Sequence, residues 1–336
     1  RNASGSCPPR PGLRASLRGS VTDSRAELSS MAKQALARYL DPDLLNRIAD
    51  RVFEPRDLVL GSLAGSHRSP LAGFAVEFAG HREYVPGDDP KHIDWRVFFN
   101  RDKYFVKQYA LETNLVCHLV VDVSTSMQYG SAHQQKLYYA CQLATLLSYL
   151  IVRQSDQVSL CLLDDRLREF LPPSNSPAQL VRATQCLQQI TPVDKTDLSG
   201  PLNDLTARIG RQEIVIIMSD FFTDLDTLED ALGRLRYARH EVVLFHLLHA
   251  DELQFTLRGL TRFVGLETDD ELRVEPQDIR NAYLHALVKF QDTLADIAQR
   301  HRCELIQVNT QQSIAEVLVD YLQQRSIGRA QGRLRQ

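Results

Sequence analysis

Short continuous apolar runs, separated by longer amphipathic segments, are the main pattern of this chain from residue 115 onward. Strands that are apolar on both faces are typical of a parallel sheet covered by helices. Their regular alternation with helices is the signature of a doubly wound α/β fold. We therefore expect a mainly parallel sheet flanked by helices on both faces. The predicted strands are residues 115–121, 158–163, 213–218, 242–248 and 303–308.

The segments between these strands carry apolar residues at three- and four-residue spacing, which predicts helices. After the acidic turn Asp164–Asp165, residues 167–170 predict a further strand that returns as a hairpin. Residues 251–279 interrupt the alternation, so we interpret them as an insertion without a strong helix. The predicted helices are residues 133–153, 177–190, 197–209, 226–238, 281–300 and 312–323.

The part of the chain before the first of these strands follows a different pattern. Residues 31–53 predict two short helices that are broken at the pair Asp41–Pro42. Residues 74–109 are rich in aromatic and β-branched side chains without helical spacing, which predicts strands and turns. We therefore expect an N-terminal helical segment and a β-rich arm over residues 31–112, followed by the α/β domain over residues 113–324.

Charge is unevenly distributed along the chain. The formal net charge is -3, yet residues 1–30 carry +3 and residues 325–336 carry +4, which leaves -10 for residues 31–324. This acidic body argues against a nucleic acid as the main partner, because phosphate binding needs a basic face. We expect residues 1–30 to be a disordered extension or translated upstream sequence before Met31, and residues 325–336 to be a basic tail.

The six cysteines are scattered and form no C-x-x-C pair. Because most of them lie in apolar stretches, we interpret them as buried free thiols of a reducing compartment rather than as disulfides or zinc ligands. No apolar run approaches the roughly 20 residues that span a bilayer. These features predict a cytoplasmic protein without a membrane span.

Five oxygen-bearing side chains are brought to one edge of the predicted sheet. Asp122, Ser124 and Ser126 follow the first strand in the spacing D-x-S-x-S, and Asp220 follows a second core strand. Thr196 lies in the loop that enters a helix. Ligands of doubly wound proteins bind beyond the carboxyl ends of the strands, where the strand order reverses. Hydroxyl and carboxylate oxygens suit a hard cation such as Mg²⁺, so the sequence predicts a metal site there.

The same residues also have a plainer interpretation, in which Asp122 caps a helix and the two serines form a turn. Asp197 and Asp224 are interpreted as a helix cap and a loop acid rather than as ligands. His118, inside the first strand, is interpreted as a hydrogen-bonded histidine of the sheet.

This constellation resembles the metal-ion-dependent adhesion site (MIDAS) of von Willebrand factor A (vWA) domains. The resemblance implies that Ser124, Ser126 and Thr196 coordinate the metal largely directly. It implies that Asp122 and Asp220 act directly or through water, around Mg²⁺ or alternatively Mn²⁺ or Ca²⁺. A sixth coordination position is then left for a carboxylate of a partner protein.

A second motif precedes the sheet. The block from Gly80 to Arg96 contains Y-x-P-G-D-D and I-D-W, and F-V-K-Q-Y follows at residues 105–109. It resembles the signature of the bacterial domain-of-unknown-function family fifty-eight (DUF58), in which the block precedes a vWA-like domain, and the resemblance covers residues 31–322. Relatives of that family are associated with MoxR-type AAA+ ATPases. The resemblance therefore implies an adaptor or co-chaperone that works with such an ATPase on an acidic client protein.

Part of this block offers a second, competing cluster of polar residues, which could form another metal site or a nuclease site. We favour a structural role, because Ile93, Trp95 and Val97 alternate as one face of a strand and basic neighbours can neutralise the acids. The residues of this cluster are Asp88, Asp89, His92 and Asp94.

Three functions remain open from the sequence. The leading hypothesis is a metal-dependent protein-binding module that is not an enzyme. The alternative is a metal-dependent phosphohydrolase that uses the same acidic edge, although such sites usually add a nucleophile, a base or Lys/Arg clamps around the metal. No G-x-S-x-G elbow and no G-x-x-x-x-G-K-[ST] phosphate loop occurs in the sequence. The third hypothesis is a purely structural domain without metal.

Overall fold

The computed structural model describes most of the predicted α/β domain and parts of the region before it. The described residues are 38–53, 55, 76–85, 93–101, 103–111, 115–190, 198–255, 261–264, 271–274 and 276–333. Predictions for some residues fall outside these ranges, namely those for 1–30, Asp88, Asp89, His92, Thr196 and Asp197.

The described elements alternate between strands and helices from the middle of the chain onward. The strands are β1 (Val76–Glu83), β2 (Phe105–Leu111), β3 (Val116–Asp122), β4 (Gln157–Leu163), β5 (Leu167–Ser174), β6 (Ile214–Ser219), β7 (Glu241–Leu248), β8 (Thr261–Val264), β9 (Glu271–Val274) and β10 (Glu304–Asn309). The helices are α1 (Pro42–Ile48), α2 (Trp95–Arg101), α3 (Lys136–Arg153), α4 (Pro177–Gln188), α5 (Ser199–Arg208), α6 (Leu225–Tyr237), α7 (Ala250–Gln254), α8 (Pro276–Arg300) and α9 (Ile314–Arg333).

A six-stranded sheet in the order β10-β7-β6-β3-β4-β5 forms the centre of the domain. Neighbouring strands are parallel except at the edge, where β5 returns antiparallel to β4 as the predicted hairpin strand. Every residue of β6 and β7 is buried, which explains why these strands are apolar throughout. The mainly parallel, doubly wound α/β fold predicted from the sequence is confirmed.

Helices cover both faces of this sheet. On one face α3 packs with α4, α9 and the N-terminal residues 38–53, and it buries Leu143, Leu147 and Leu150. On the other face α5, α6 and α8 enclose a second apolar cluster that includes Leu202, Leu232 and Leu294. The amphipathic spacing that predicted helices between the strands therefore reflects helices with one face on the sheet.

One prediction for an irregular region is wrong, and one helix begins earlier than predicted. Residues 95–101 form the helix α2 rather than a strand, because Asp94 Oδ1 accepts a hydrogen bond from the Arg96 N–H at 3.0 Å and so caps a helical start. The predicted insertion contains the short helix α7 and the β8–β9 hairpin. The following helix α8 begins at Pro276, five residues earlier than predicted, since proline suits the first turn of a helix.

Several single-residue predictions are confirmed. The Nε2 atom of His118 lies 2.9 Å from Glu213 Oε2, so this histidine is hydrogen-bonded within the sheet. The described cysteines, which exclude Cys7, are free thiols.

None of the described helices is long and apolar enough to cross a membrane.

Candidate functional site

Two core strands end beside each other where the order of the sheet reverses. From β3 the chain passes through α3 to β4 on one side, whereas β6 lies on the other side of β3. Asp122 is the last residue of β3, and Asp220 directly follows β6. Both carboxylates are 1% exposed. This is the position at which doubly wound proteins bind their ligands.

The chain turns sharply after β3 and places two hydroxyls next to the end of the strand. Asp122 Oδ1 accepts a hydrogen bond from the Ser124 N–H at 2.9 Å. The Oγ atoms of Ser124 and Ser126 lie 3.0 Å apart, and Ser126 opens a 3₁₀ turn. The structure thus brings three predicted site residues together, with Asp220 close by. Thr196, the remaining one, lies outside the described residues.

Ser219, the last residue of β6, connects the two strand ends. Its hydroxyl donates to Asp122 Oδ2 at 2.5 Å and accepts a hydrogen bond from the Phe221 N–H at 2.8 Å. Phe221 has a left-handed backbone conformation with a φ of 54°, so the chain bends immediately after Asp220. The D-x-S-x-S motif does not point to Ser219. A serine that ends a wholly apolar strand is the signal by which it could be found.

A buried lysine contacts the second carboxylate. Lys136 opens α3, and its Nζ donates to Asp220 Oδ2 at 2.8 Å and to Glu252 Oε1 at 2.7 Å. Burial alone would lower the pKa of Lys136, but the charges of Asp220 and Glu252 raise it above its usual value. The Lys136 side chain therefore stays protonated and positively charged at the edge of the site. Its helical spacing to Ala140 and Leu143 on the buried face of α3 is the sequence signal for this position.

Glu252 also fixes the start of the short helix α7. Its Oε2 accepts a hydrogen bond from the His249 N–H at 2.7 Å, and His249 Nδ1 accepts one from the Asp251 N–H at 3.2 Å. This reciprocal arrangement is a capping box. One carboxylate therefore joins the beginning of α7 to Lys136 and, through it, to Asp220.

Aromatic side chains lie beside this ion network. The Nζ of Lys136 is 5.3 Å from the ring centroid of Phe222 and 5.9 Å from that of Tyr129. Phe222 is 38% exposed, and its ring centroid is 5.4 Å from that of Phe290. We call Tyr129, Phe222 and Phe290 the aromatic rim. The rim places exposed apolar surface next to the buried carboxylates.

The described ionisable groups make the site acidic. Burial, together with the charge of Asp220, raises the pKa of Asp122 to about 7. Burial lowers the pKa of His246, which lies on β7, to about 4, so this imidazole is neutral near pH 7. Lys136 therefore offsets only one of the three carboxylates Asp122, Asp220 and Glu252. A buried acidic site of this kind favours a bound cation.

Other acidic residues singled out in the sequence have structural contacts. Asp94, which caps α2, also lies 2.9 Å from the Nε2 atom of His81. Asp224 accepts a hydrogen bond from the Asp226 N–H and is the N-cap of α6. Within the described part of the chain, no group of three or more His, Cys, Asp and Glu side chains is arranged to hold a metal. The candidate site differs from such clusters because two of its oxygens come from serines.

Comparison with known families agrees with the motif that precedes the sheet. The family model described as "Protein of unknown function DUF58" matches residues 80–293, well over half of the chain. The chain belongs to the DUF58 family. The match begins at the Gly80 block that predicted this family, and it includes the D-x-S-x-S motif and Asp220. The family prediction is therefore confirmed.

Individual relatives and solved structures share low sequence identity with this chain. "Uncharacterized protein Rv1480" of Mycobacterium tuberculosis is 24% identical over 217 residues, which cover 64% of this DUF58 chain and 68% of the relative. Among solved structures, the "conserved hypothetical protein BatB" of Bacteroides thetaiotaomicron has a TM-score of 0.43 at 14% identity and covers 63% of this chain and 98% of its own. An "aerotolerance-related membrane protein" of Bacteroides fragilis has a TM-score of 0.43 at 16% identity, and the match covers 62% of this chain and 99% of the neighbour. These values describe likeness only.

Proposed function

We propose that this DUF58 protein is a metal-dependent protein-binding module whose MIDAS-type site accepts a carboxylate from a partner. The residues that would hold the metal are Asp122, Ser124, Ser126, Thr196 and Asp220. Mg²⁺ is the proposed ion, and Mn²⁺ or Ca²⁺ are the alternatives. A bound divalent ion would supply a Lewis-acid position at the protein surface for the partner's carboxylate.

The spacing of the two serine hydroxyls carries this proposal. Two oxygens that bind Mg²⁺ at right angles with bonds of about 2.1 Å lie about 3.0 Å apart. The Oγ atoms of Ser124 and Ser126 are 3.0 Å apart, next to the buried carboxylate of Asp122. Without an ion this separation is that of a hydrogen bond between the two hydroxyls, so the two oxygens already have the spacing of adjacent positions on an octahedral ion, which supports the proposal.

The charge of the site supports a divalent ion in particular. With Lys136 counted, the carboxylates Asp122, Asp220 and Glu252 leave two negative charges uncompensated when all three are ionised. The pKa of Asp122 is raised to about 7 by burial and by Asp220, which shows how unfavourable this charge is without a further cation. One divalent ion would neutralise the site.

The aromatic rim supports docking of a protein. Tyrosine and phenylalanine are enriched at protein interfaces because a rigid ring buries a large area with little loss of conformational freedom. Phe222 presents such a ring beside Asp220 and is 38% exposed. A partner that brings a carboxylate to the metal would therefore bring its neighbouring apolar side chain to the rim.

The described side chains favour binding over catalysis. A phosphohydrolase needs cations directed at the phosphoryl group of its substrate. Lys136 is instead fully buried, and its ammonium is engaged by Asp220 and Glu252. We therefore propose a docking site without a catalytic step.

The proposed partners are a MoxR-type AAA+ ATPase and an acidic client protein. This part of the proposal is supported by the family resemblance, and the protein would act as an adaptor or co-chaperone. Because no G-x-x-x-x-G-K-[ST] motif occurs in its sequence, we assign nucleotide hydrolysis to the ATPase. The metal site and its aromatic rim would form the surface that accepts a carboxylate from the ATPase or from the client.

A capture experiment tests the proposal. The purified chain is immobilised and exposed to a MoxR-type ATPase, from an organism that encodes both, in Mg²⁺ or in chelator. We expect capture in Mg²⁺ only, and we expect Asp122→Ala to abolish it. The matched control is Asp165→Ala, which removes an exposed carboxylate in the turn after β4 and should leave capture unchanged.

Two outcomes would contradict the proposed function. Capture that persists in chelator would show that no metal is needed for docking. Turnover of a phosphoester such as p-nitrophenyl phosphate, present in the unmodified protein and lost in Asp122→Ala, would favour the phosphohydrolase instead.

A further inference from the structure

Lys136 contacts a carboxylate that the proposed metal would also use. Both oxygens of Asp220 already have donors, since Oδ1 accepts from the Phe222 N–H at 3.2 Å and Oδ2 accepts from Lys136 Nζ at 2.8 Å. A metal that uses Asp220, directly or through water, must share this carboxylate with a buried ammonium. Like charges that share one buried carboxylate weaken each other's binding.

Lys136 is also held from a second side. Glu252 Oε1 lies 2.7 Å from its Nζ, so the ammonium is divided between two carboxylates. Because the start of α7 depends on the other oxygen of Glu252, this second partner has a fixed position. The ammonium is therefore anchored beside Asp220 while part of its charge is compensated elsewhere.

We propose that Lys136 is a resident cation that competes with the metal for Asp220 and so sets the metal affinity of the site, while Glu252 limits how strongly it competes. This inference rests on the proposed function, because it concerns regulation of the same site. It assigns Lys136 and Glu252 as residues that tune the site without coordinating the metal. Changes at the two positions therefore act on affinity in opposite directions.

The contacts of Lys136 determine whether each substitution raises or lowers the Mg²⁺ affinity. Lys136→Met keeps the length and apolar stem of the side chain but removes the ammonium, so the metal no longer shares Asp220 Oδ2 with a second cation. We expect Mg²⁺ to bind about 10- to 100-fold more tightly, because a like charge 2.8 Å from the shared carboxylate is removed. Glu252→Gln removes the second carboxylate, which leaves the whole charge of Lys136 facing Asp220. We expect Mg²⁺ to bind several-fold more weakly.

The test is calorimetric titration of Mg²⁺ into the full chain and into each variant. The melting temperature with and without saturating Mg²⁺ gives a second readout, since a ligand that binds only the folded state raises it. Lys289→Met removes an exposed lysine from α8 and serves as the control for a change in net charge. Its Mg²⁺ affinity should match that of the unmodified protein.

The outcomes separate this inference from the proposed function. If the unmodified protein binds Mg²⁺ and Lys136→Met binds it equally or more weakly, the inference is overturned and the docking function stands. If only Lys136→Met binds Mg²⁺, competition is supported and the metal-dependent function is not. If neither binds, both are overturned. Should Lys136→Met fail to fold, Glu252→Gln decides alone, and unchanged or tighter binding there overturns the inference.

Discussion

Ser219→Ala is the substitution that most directly probes how the two strand ends are held together. The Ser219 hydroxyl donates to Asp122 Oδ2 at 2.5 Å and accepts from the Phe221 N–H at 2.8 Å, and all three residues are almost completely buried. A hydrogen bond to a charged group contributes about 1.5–3 kcal/mol, and a buried N–H left without an acceptor costs at least about 1 kcal/mol. We therefore expect the free energy of unfolding to fall by roughly 3 kcal/mol.

The same substitution should weaken metal binding. Without the Ser219 hydroxyl, Asp122 keeps its contacts with the N–H and the side chain of Ser124 but loses the one that ties it to the end of β6. Removing a group that orients a metal ligand commonly lowers affinity by about 10- to 100-fold. Urea unfolding followed by circular dichroism measures the first effect, and calorimetric titration of Mg²⁺ measures the second.

Ser159→Ala is the matched control for this prediction. Ser159 is also a fully buried serine of the sheet, but among the described residues its Oγ has only a weak contact, with Cys161 Sγ at 3.8 Å. We expect this variant to lose less than about 1 kcal/mol of stability and to bind Mg²⁺ normally. If Ser219→Ala loses no more stability than Ser159→Ala and keeps its Mg²⁺ affinity, the role assigned to the hydroxyl is wrong.

Three further predictions concern stability. Gly130→Ala should cost about 1–3 kcal/mol in urea unfolding, because Gly130 has a φ of 99° and a Cβ there would lie 2.9 Å from the Gln134 carbonyl oxygen; an unchanged midpoint would refute this. Ser148→Ala should raise the unfolding free energy by about 0.5–1 kcal/mol, since this buried hydroxyl has no hydrogen-bond partner among the described residues; a loss would contradict it. Burial lowers the pKa of His240, whose neutral Nδ1 accepts the Glu213 N–H at 3.3 Å. The unfolded state therefore takes up a proton first, and stability should fall as the pH drops below about 6.5, by at most about 1.4 kcal/mol per unit. In urea unfolding measured over a series of pH values, the stability of His240→Asn should depend less on pH than that of the unmodified protein. An equal pH dependence would show that His240 is not the group responsible.

The sheet could be predicted from the sequence because its strands are buried on both faces. A run such as Ile214–Ser219 has no polar side until its last residue, and few other structures tolerate such a run. The helix α2 could not be predicted in this way, since Ile93, Trp95 and Val97 alternate as a strand does. Its capping contact from Asp94 to the Arg96 N–H decides the local structure, and capping outweighed the alternation.

The candidate site could be predicted only where its residues follow strands. Asp122 and Asp220 could be predicted because the carboxyl ends of parallel strands meet at one edge of the sheet. Lys136 and Glu252 come from the beginnings of two helices that are far apart in sequence, and no spacing rule relates them. Their contact depends on how α3 and α7 pack at that edge, which is a property of the folded chain.

The central claim is that this edge of the sheet binds one divalent ion through Asp122 and the two serines. The most direct measurement is a calorimetric titration of Mg²⁺ into the unmodified protein and into Asp122→Asn, which keeps the shape of the side chain and removes its charge. We predict one ion bound per chain in the unmodified protein and no binding in the variant. No binding in the unmodified protein, or equal binding in both, would contradict the claim.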